Sequence, residues 1–143
     1  MHVALICALG QLDACALAPR DPVPTDWYAI SLDSDVKDIG STSLAIIHNL
    51  TSTTLRFNLC ERVLQRRENG HWVVVDTMAV AAGCERTPLN LPGKVAVDTY
   101  VSLPKNTPPG AYRIVFPGLL GPEGRPLPTD AHASAPFAIR SNR

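Results

Sequence analysis

An excess of charge of either sign is missing from this chain. Thirteen basic and thirteen acidic residues among 143 cancel, and charged residues of either kind make up only 18% of the whole. No polyanionic partner is therefore implied, which argues against nucleic acid as the main ligand. Aromatic residues are also sparse, at 6%. Long windows free of helix breakers are lacking, because 13 prolines and 9 glycines interrupt the chain throughout; an all-helical fold is excluded on that ground. No apolar run reaches the roughly 18 to 20 residues that a membrane-spanning helix needs. What remains is a 45% hydrophobic composition on a length that suits one ordinary core.

The N-terminus carries the first positive signal. Met1 to Gly10 is short and apolar, Leu12-Asp13-Ala14-Cys15 follows, and the chain then turns polar and proline-rich. That order is the order of an export signal. Leu-x-Ala-Cys resembles the lipobox of bacterial lipoproteins, with Asp13 an unusual occupant, and no Lys or Arg precedes the apolar run. Residues 1–14 are expected to be a lipoprotein-type signal peptide and Cys15 the lipidated residue. Residues 15–26, with Pro19, Pro22 and Pro24, then form a tether to a domain over 27–143. An ordinary secretory cleavage after Ala14, Ala16 or Ala18, and a genuine first strand, are the competing readings.

Removing Cys7 and Cys15 with the export segment leaves Cys60 and Cys84 as a pair. In an oxidising compartment they can bridge. Two buried thiols, or a metal site, are the alternatives. The metal reading is the weakest, since there is no Cys-x-x-Cys and His48, His71 and His132 share no ligand spacing.

From Trp27 onward, short strands alternate with turn chemistry. Tyr28, Ile30 and Leu32 share a side, as do Leu55, Phe57 and Leu59. Leu44, Ile46 and His48 alternate with Ala45 and Ile47, which predicts a strand buried on both faces with His48 on its core phase. Cys60 falls off the phase of Leu59, so a bend or bulge is expected there. Asn69-Gly70 between Arg62–Arg67 and Trp72–Val75 is the clearest hairpin. Val95 to Leu103 is the longest period-two run. Thr77 to Leu91 and Pro117 to Ala135 read as long connections. Seven to eight strands without intervening helices predict an all-β antiparallel sandwich.

Asn69-Gly70-His71-Trp72, the Cys60 and Cys84 pair, Leu91-Pro92-Gly93, and Leu103-Pro104 with Pro108-Pro109-Gly110-Ala111-Tyr112-Arg113 together resemble bacterial immunoglobulin-like domains of exported proteins and lipoproteins. The resemblance runs from about Trp27 to Arg140 and rests on structural corners, Gly110, Tyr112 and Arg113 among them. It implies an immunoglobulin-like sandwich. Independently of it, Tyr112 after Pro108, Pro109 and Gly110 is expected to bury its ring while its hydroxyl finds a backbone partner, the logic of a tyrosine corner.

Chemistry is thinly represented. Asp33, Asp35 and Asp38 lack the Asp-x-Asp-x-Asp-Gly loop of a calcium site and read as a solvated turn. Arg62, Arg66 and Arg67, with Arg56, read as a solvated basic strip before an anion site. Asn49-Leu50-Thr51 is a formal glycosylation acceptor that reads as a turn, and His71 decorates the hairpin tip. No Gly-x-Ser-x-Gly, phosphate-binding loop or His-Glu-x-x-His occurs. The expectation is a non-enzymatic, extracytoplasmic binding or positioning domain at the cell envelope, without cofactor or metal. Its partner is an unknown protein or envelope component, and it meets membrane only through a lipid on Cys15. A proteinase inhibitor using Thr77 to Leu91 or Leu119 to Ala135 is the alternative, and an extracytoplasmic metal carrier the third reading.

Overall fold

The structure, a computed structural model, describes residues 27–78 and 83–141. The expected signal, tether and lipidated Cys15 lie outside the described residues. Ten strands and two short 3₁₀ turns follow one another, so the described chain is predominantly β. β1 (Tyr28–Leu32), β3 (Thr42–Asn49) and β8 (Ala96–Ser102) make one sheet in the order β1-β3-β8. β2 (Val36–Asp38), β5 (Val63–Glu68), β6 (His71–Asp76), β9 (Gly110–Val115) and β10 (Phe137–Arg140) make a second, ordered β2-β10-β9-β5-β6. β4 (Leu55–Phe57) and β7 (Leu89–Leu91) pair separately.

The count exceeds the seven to eight strands expected because β2 and β7 are only three residues each, too short to show a period, and β7 lies inside the Thr77 to Leu91 stretch expected to be a connection. The pairing is antiparallel except between β2 and β10, which run parallel. Tyr28, Ile30, Ala45, Ile47 and Val101 from the first sheet, and Leu64, Tyr112, Ile114, Phe137 and Ile139 from the second, join one buried cluster. Leu55, Phe57 and Leu91 of the β4–β7 pair and Leu119, Leu127 and Ala131 of the long connection also belong to it.

The phase of β3 corrects the expectation for His48. Ser43, Ala45, Ile47 and Asn49 face the core, and His48 is exposed on the opposite side. Two polar residues take core positions because each has partners inside. The Asn49 amide donates to the carbonyls of Thr53, Leu91 and Pro92 at 2.8 to 3.1 Å, and Ser43 Oγ donates to Asp33 at 2.9 Å.

The β5–β6 hairpin turns at Asn69 and Gly70, with φ of 49° and 80°. Both positive dihedrals match the two-residue turn that follows strand twist, and Asn-Gly reaches them at low cost.

Candidate functional site

The long β9 strand places alternate residues on opposite faces of the five-stranded sheet. Tyr112 and Ile114 enter the core, where Tyr112 is fully buried and its hydroxyl donates to the Pro108 carbonyl at 2.5 Å. Burial raises the Tyr112 pKa. Gly110 opens the strand, and a Cβ there would stand 3.2 Å from Arg66 Nε.

Arg113, next along the strand, faces the other way. Opposite it in register stands Gln65 of β5, and Arg67 of β5 stands opposite Trp72 of β6. Arg113 Nε donates to Gln65 Oε1 at 2.7 Å and Nη1 to Asp130 Oδ1 at 2.6 Å. Its guanidinium lies 4.6 Å from the Trp72 ring centroid, while that of Arg67 lies 5.3 Å from it. Trp72 therefore makes cation–π contact with two arginines on one outer face, one buried and bonded, one exposed. Spacing gave no sign of this cluster, because its members come from three strands and a distant turn.

The expected basic strip is divided by the sheet. Arg62 crosses to the other sheet, donating to the Tyr100 carbonyl at 2.7 Å and to Thr99 Oγ1 at 2.8 Å. Arg66 turns toward the Pro109 carbonyl, 3.4 Å away, and Arg67 alone joins Trp72. The three aspartates are also separated. Asp33 bonds Lys37, Ser43 and the Leu44 amide, and Asp38 pairs with Arg140 at 2.7 Å. The hydrogen bond from Lys37 is the chief reason the Asp33 carboxyl sits below its ordinary pKa. His71 is exposed beside the hairpin turn, and Asn49 and Thr51 are joined by a 2.7 Å hydrogen bond within their turn.

Cys60 and Cys84 are bonded to each other, 24 positions apart, with Cα atoms 5.8 Å apart. Cys60 is buried and the surrounding 83–87 stretch is exposed, so the bridge fastens an exposed connection to the core. Asn58 reinforces this by donating to the Glu85 carbonyl at 2.9 Å.

Close to Arg113, His132 is buried and its Nδ1 has no hydrogen-bond partner among the described residues. Burial pushes its pKa down, with Arg113 adding to the effect and the Leu119 carbonyl and Asp130 opposing it. Burial likewise pushes the Tyr28 hydroxyl up to about 12 while it donates to the Leu120 carbonyl at 2.7 Å.

Two clefts among the described residues are small. One cleft of about 180 Å³ lies beside Asn58, Glu61, Arg86 and Gly118, and another of about 230 Å³ beside Val75, Asp76 and Pro104. Both fall below the roughly 300 Å³ at which small-molecule pockets begin. Among the described residues no three His, Cys, Asp or Glu side chains gather into a metal-binding group, and no helix is long and apolar enough to cross a membrane.

The chain matches no family model and no curated protein. Among solved structures it is similar to Pseudomonas fluorescens alkylpurine DNA glycosylase AlkC (9% identity, TM-score 0.41, 80% of this chain and 30% of that one). It is also similar to the sporulation control protein Spo0M of Bacillus subtilis (10%, 0.45, 81% and 49%) and to PapD-like domain 7 of human CEP192 (14%, 0.35, 99% and 95%). The chain thus spans less than half the length of the first two. At this level of identity none of them assigns an activity.

Proposed function

We propose that the chain is a non-enzymatic immunoglobulin-like domain, exported and held at a bacterial cell envelope through Cys15, where it binds or positions another protein or an envelope component. Two larger sheets with one shared core and a tyrosine bonded back to the chain before its strand support the immunoglobulin-like reading. The observation that carries the export reading is the Cys60–Cys84 bridge, since such bonds persist in oxidising compartments. Binding through an outer face is favoured by what that face offers: an aromatic ring beside two guanidinium groups, residue types that anchor protein interfaces.

Fractionation of the native host combined with palmitate labelling tests the proposal. The protein is expected in the envelope fraction, labelled, with labelling abolished by Cys15→Ser. An unlabelled, uncut chain among cytosolic proteins would overturn it.

The inhibitor alternative retains one loop. Leu119 to Ala135 lies against the domain, with Leu119, Leu127 and Ala131 buried, whereas residues 83–87 are exposed and braced by the disulfide. Inhibition of any member of a protease panel by the purified domain would favour that alternative.

A further inference from the structure

Three arginines stand on the outer face of the five-stranded sheet, and two of them are answered there by carboxylates. Arg113 pairs with Asp130 at 2.6 Å and Arg140 with Asp38 at 2.7 Å. Arg67 is exposed and forms neither a hydrogen bond nor an ion pair with any other described residue; its contact is the Trp72 ring. Glu68, next in sequence, alternates to the other side of β5 and lies 3.8 Å from Arg66.

The ring shapes what Arg67 can do. A cation–π contact consumes none of the five N–H donors of a guanidinium, so the fork that matches a carboxylate stays available. Contact with the ring also narrows the rotamers of a long side chain, which lowers the ordering cost of binding. Trp72 is in turn held by Arg113, 4.6 Å from its centroid, which Gln65 and Asp130 fix in place.

Strand register sets what lies beside this charge. Trp72 is opposite Arg67, and continuing the β5–β9 ladder by one residue sets Arg67 beside Ala111. Ala111 is opposite Ala138, and Ala138 is opposite Val36. One row therefore crosses the sheet from a guanidinium over two methyl groups to a valine. Ala111, Ala138 and Val36 are all exposed, whereas the long connection covers this face only beyond Arg113, where Ala133 bridges Val115. Adjacent strands are about 4.8 Å apart, so the two alanines lie roughly 5 and 10 Å from Arg67 across the sheet.

We propose that this row docks an acidic peptide segment of a partner protein. One carboxylate takes the Arg67 fork, and an apolar side chain two residues along the extended peptide, about 7 Å away, lies over Ala111 and Ala138. The inference rests on the reading of this outer face as a binding face and names its ligand. A single carboxylate is what the surrounding charge admits. Asp130 and Asp38 are both exposed, and their arginine partners lie two residues from the row on opposite sides of it. A ligand that spreads negative charge over the whole face, such as an anionic bilayer, meets both of those carboxylates.

The probe is acetyl-Ser-Glu-Ser-Leu-Ser-amide, titrated into the isotopically labelled full chain and followed by the NMR signals of Arg67 Nε–H and Trp72 Nε1–H. Both signals are expected to shift saturably, with a dissociation constant of about a millimolar or a few times weaker, as suits so exposed a pair. Glutamine in place of the peptide's glutamate should weaken binding about fivefold. Arg67→Glu should reverse the preference, taking a peptide with lysine at that position more tightly than the original. Ala138→Glu, at an exposed position that touches neither Arg67 nor Trp72, should abolish binding and keeps the test intact if Arg67→Glu disturbs the ring. Equal affinity for the glutamate and glutamine peptides overturns the acidic ligand while leaving a binding face. No shift with any of the three peptides up to about ten millimolar overturns the inference and leaves the export reading to its own fractionation test. Binding that survives Ala138→Glu overturns the row as the site, and Arg67-dependent binding to phosphatidylglycerol vesicles in preference to the peptide overturns the peptide as its occupant.

Discussion

The Tyr112 hydroxyl donates to the Pro108 carbonyl across a 2.5 Å hydrogen bond, tying the start of β9 to the turn that precedes it. The ring itself lies in the core, 6.3 Å from Phe137 between centroids. Tyr112→Phe keeps the ring and removes the bond, so it is expected to cost about 1 kcal/mol in urea unfolding. Tyr112→Ala removes both and should cost about 3 to 5 kcal/mol.

Gly118 is a second position where geometry is exacting. Its carbonyl accepts from the Asn58 amide at 2.9 Å, and an added Cβ would stand 2.1 Å from the Asn58 carbonyl oxygen. That oxygen is backbone and cannot swing aside. Gly118→Ala should therefore destabilise the domain by about 1 to 3 kcal/mol, read from the shift in its thermal midpoint. Gly70→Ala strains only an open turn and should cost less.

Arg113 and Trp72 should be energetically coupled. A double-mutant cycle with Arg113→Met and Trp72→Ala is expected to return a coupling of about 0.5 to 1 kcal/mol. Arg113→Met alone should cost more than the coupling, because it leaves buried Gln65 without its 2.7 Å partner.

Acid should weaken the fold through His132 before it does so through any displaced carboxylate. Burial holds the folded imidazole below its ordinary 6.5, so the unfolded chain takes up a proton at a higher pH than the folded chain does. Stability from this group is complete above that value and is lost as pH falls below it, toward the folded value. Asp33, depressed by Lys37 from 3.8, retains its contribution until still lower pH. Between about pH 6.5 and 4.5 the stability of wild type should fall more steeply than that of His132→Gln, measured by urea unfolding at each pH.

Much of the architecture was legible because it is local. Alternation marked the core faces of β1 and β4, and Asn69-Gly70 marked the hairpin. β3 was misread in phase because Ser43 and Asn49 look solvent-facing, whereas hydrogen bonds to Asp33 and to the Leu91 and Pro92 carbonyls let them occupy the core. β2 left no periodic trace: it is three residues long and buries Lys37, which donates to Asp33. The Trp72 cluster was illegible for another reason. Arg113 and Asp130 meet Gln65 only through register and a long connection, and neither is visible in spacing.

The Cys60–Cys84 bond closes a loop worth about 3 kcal/mol in the chain-entropy account. Cys60→Ala with Cys84→Ala should lower stability by about that amount, and the wild type should lose a similar amount in strong reductant.

The most direct measurement of an extracytoplasmic, disulfide-braced domain is peptide mass mapping of the protein taken from its native host, with free thiols blocked at lysis. The prediction is a peptide joining Cys60 to Cys84 that separates on reduction, with neither cysteine blocked. Cys60 and Cys84 both recovered in the thiol-blocked form would contradict the account.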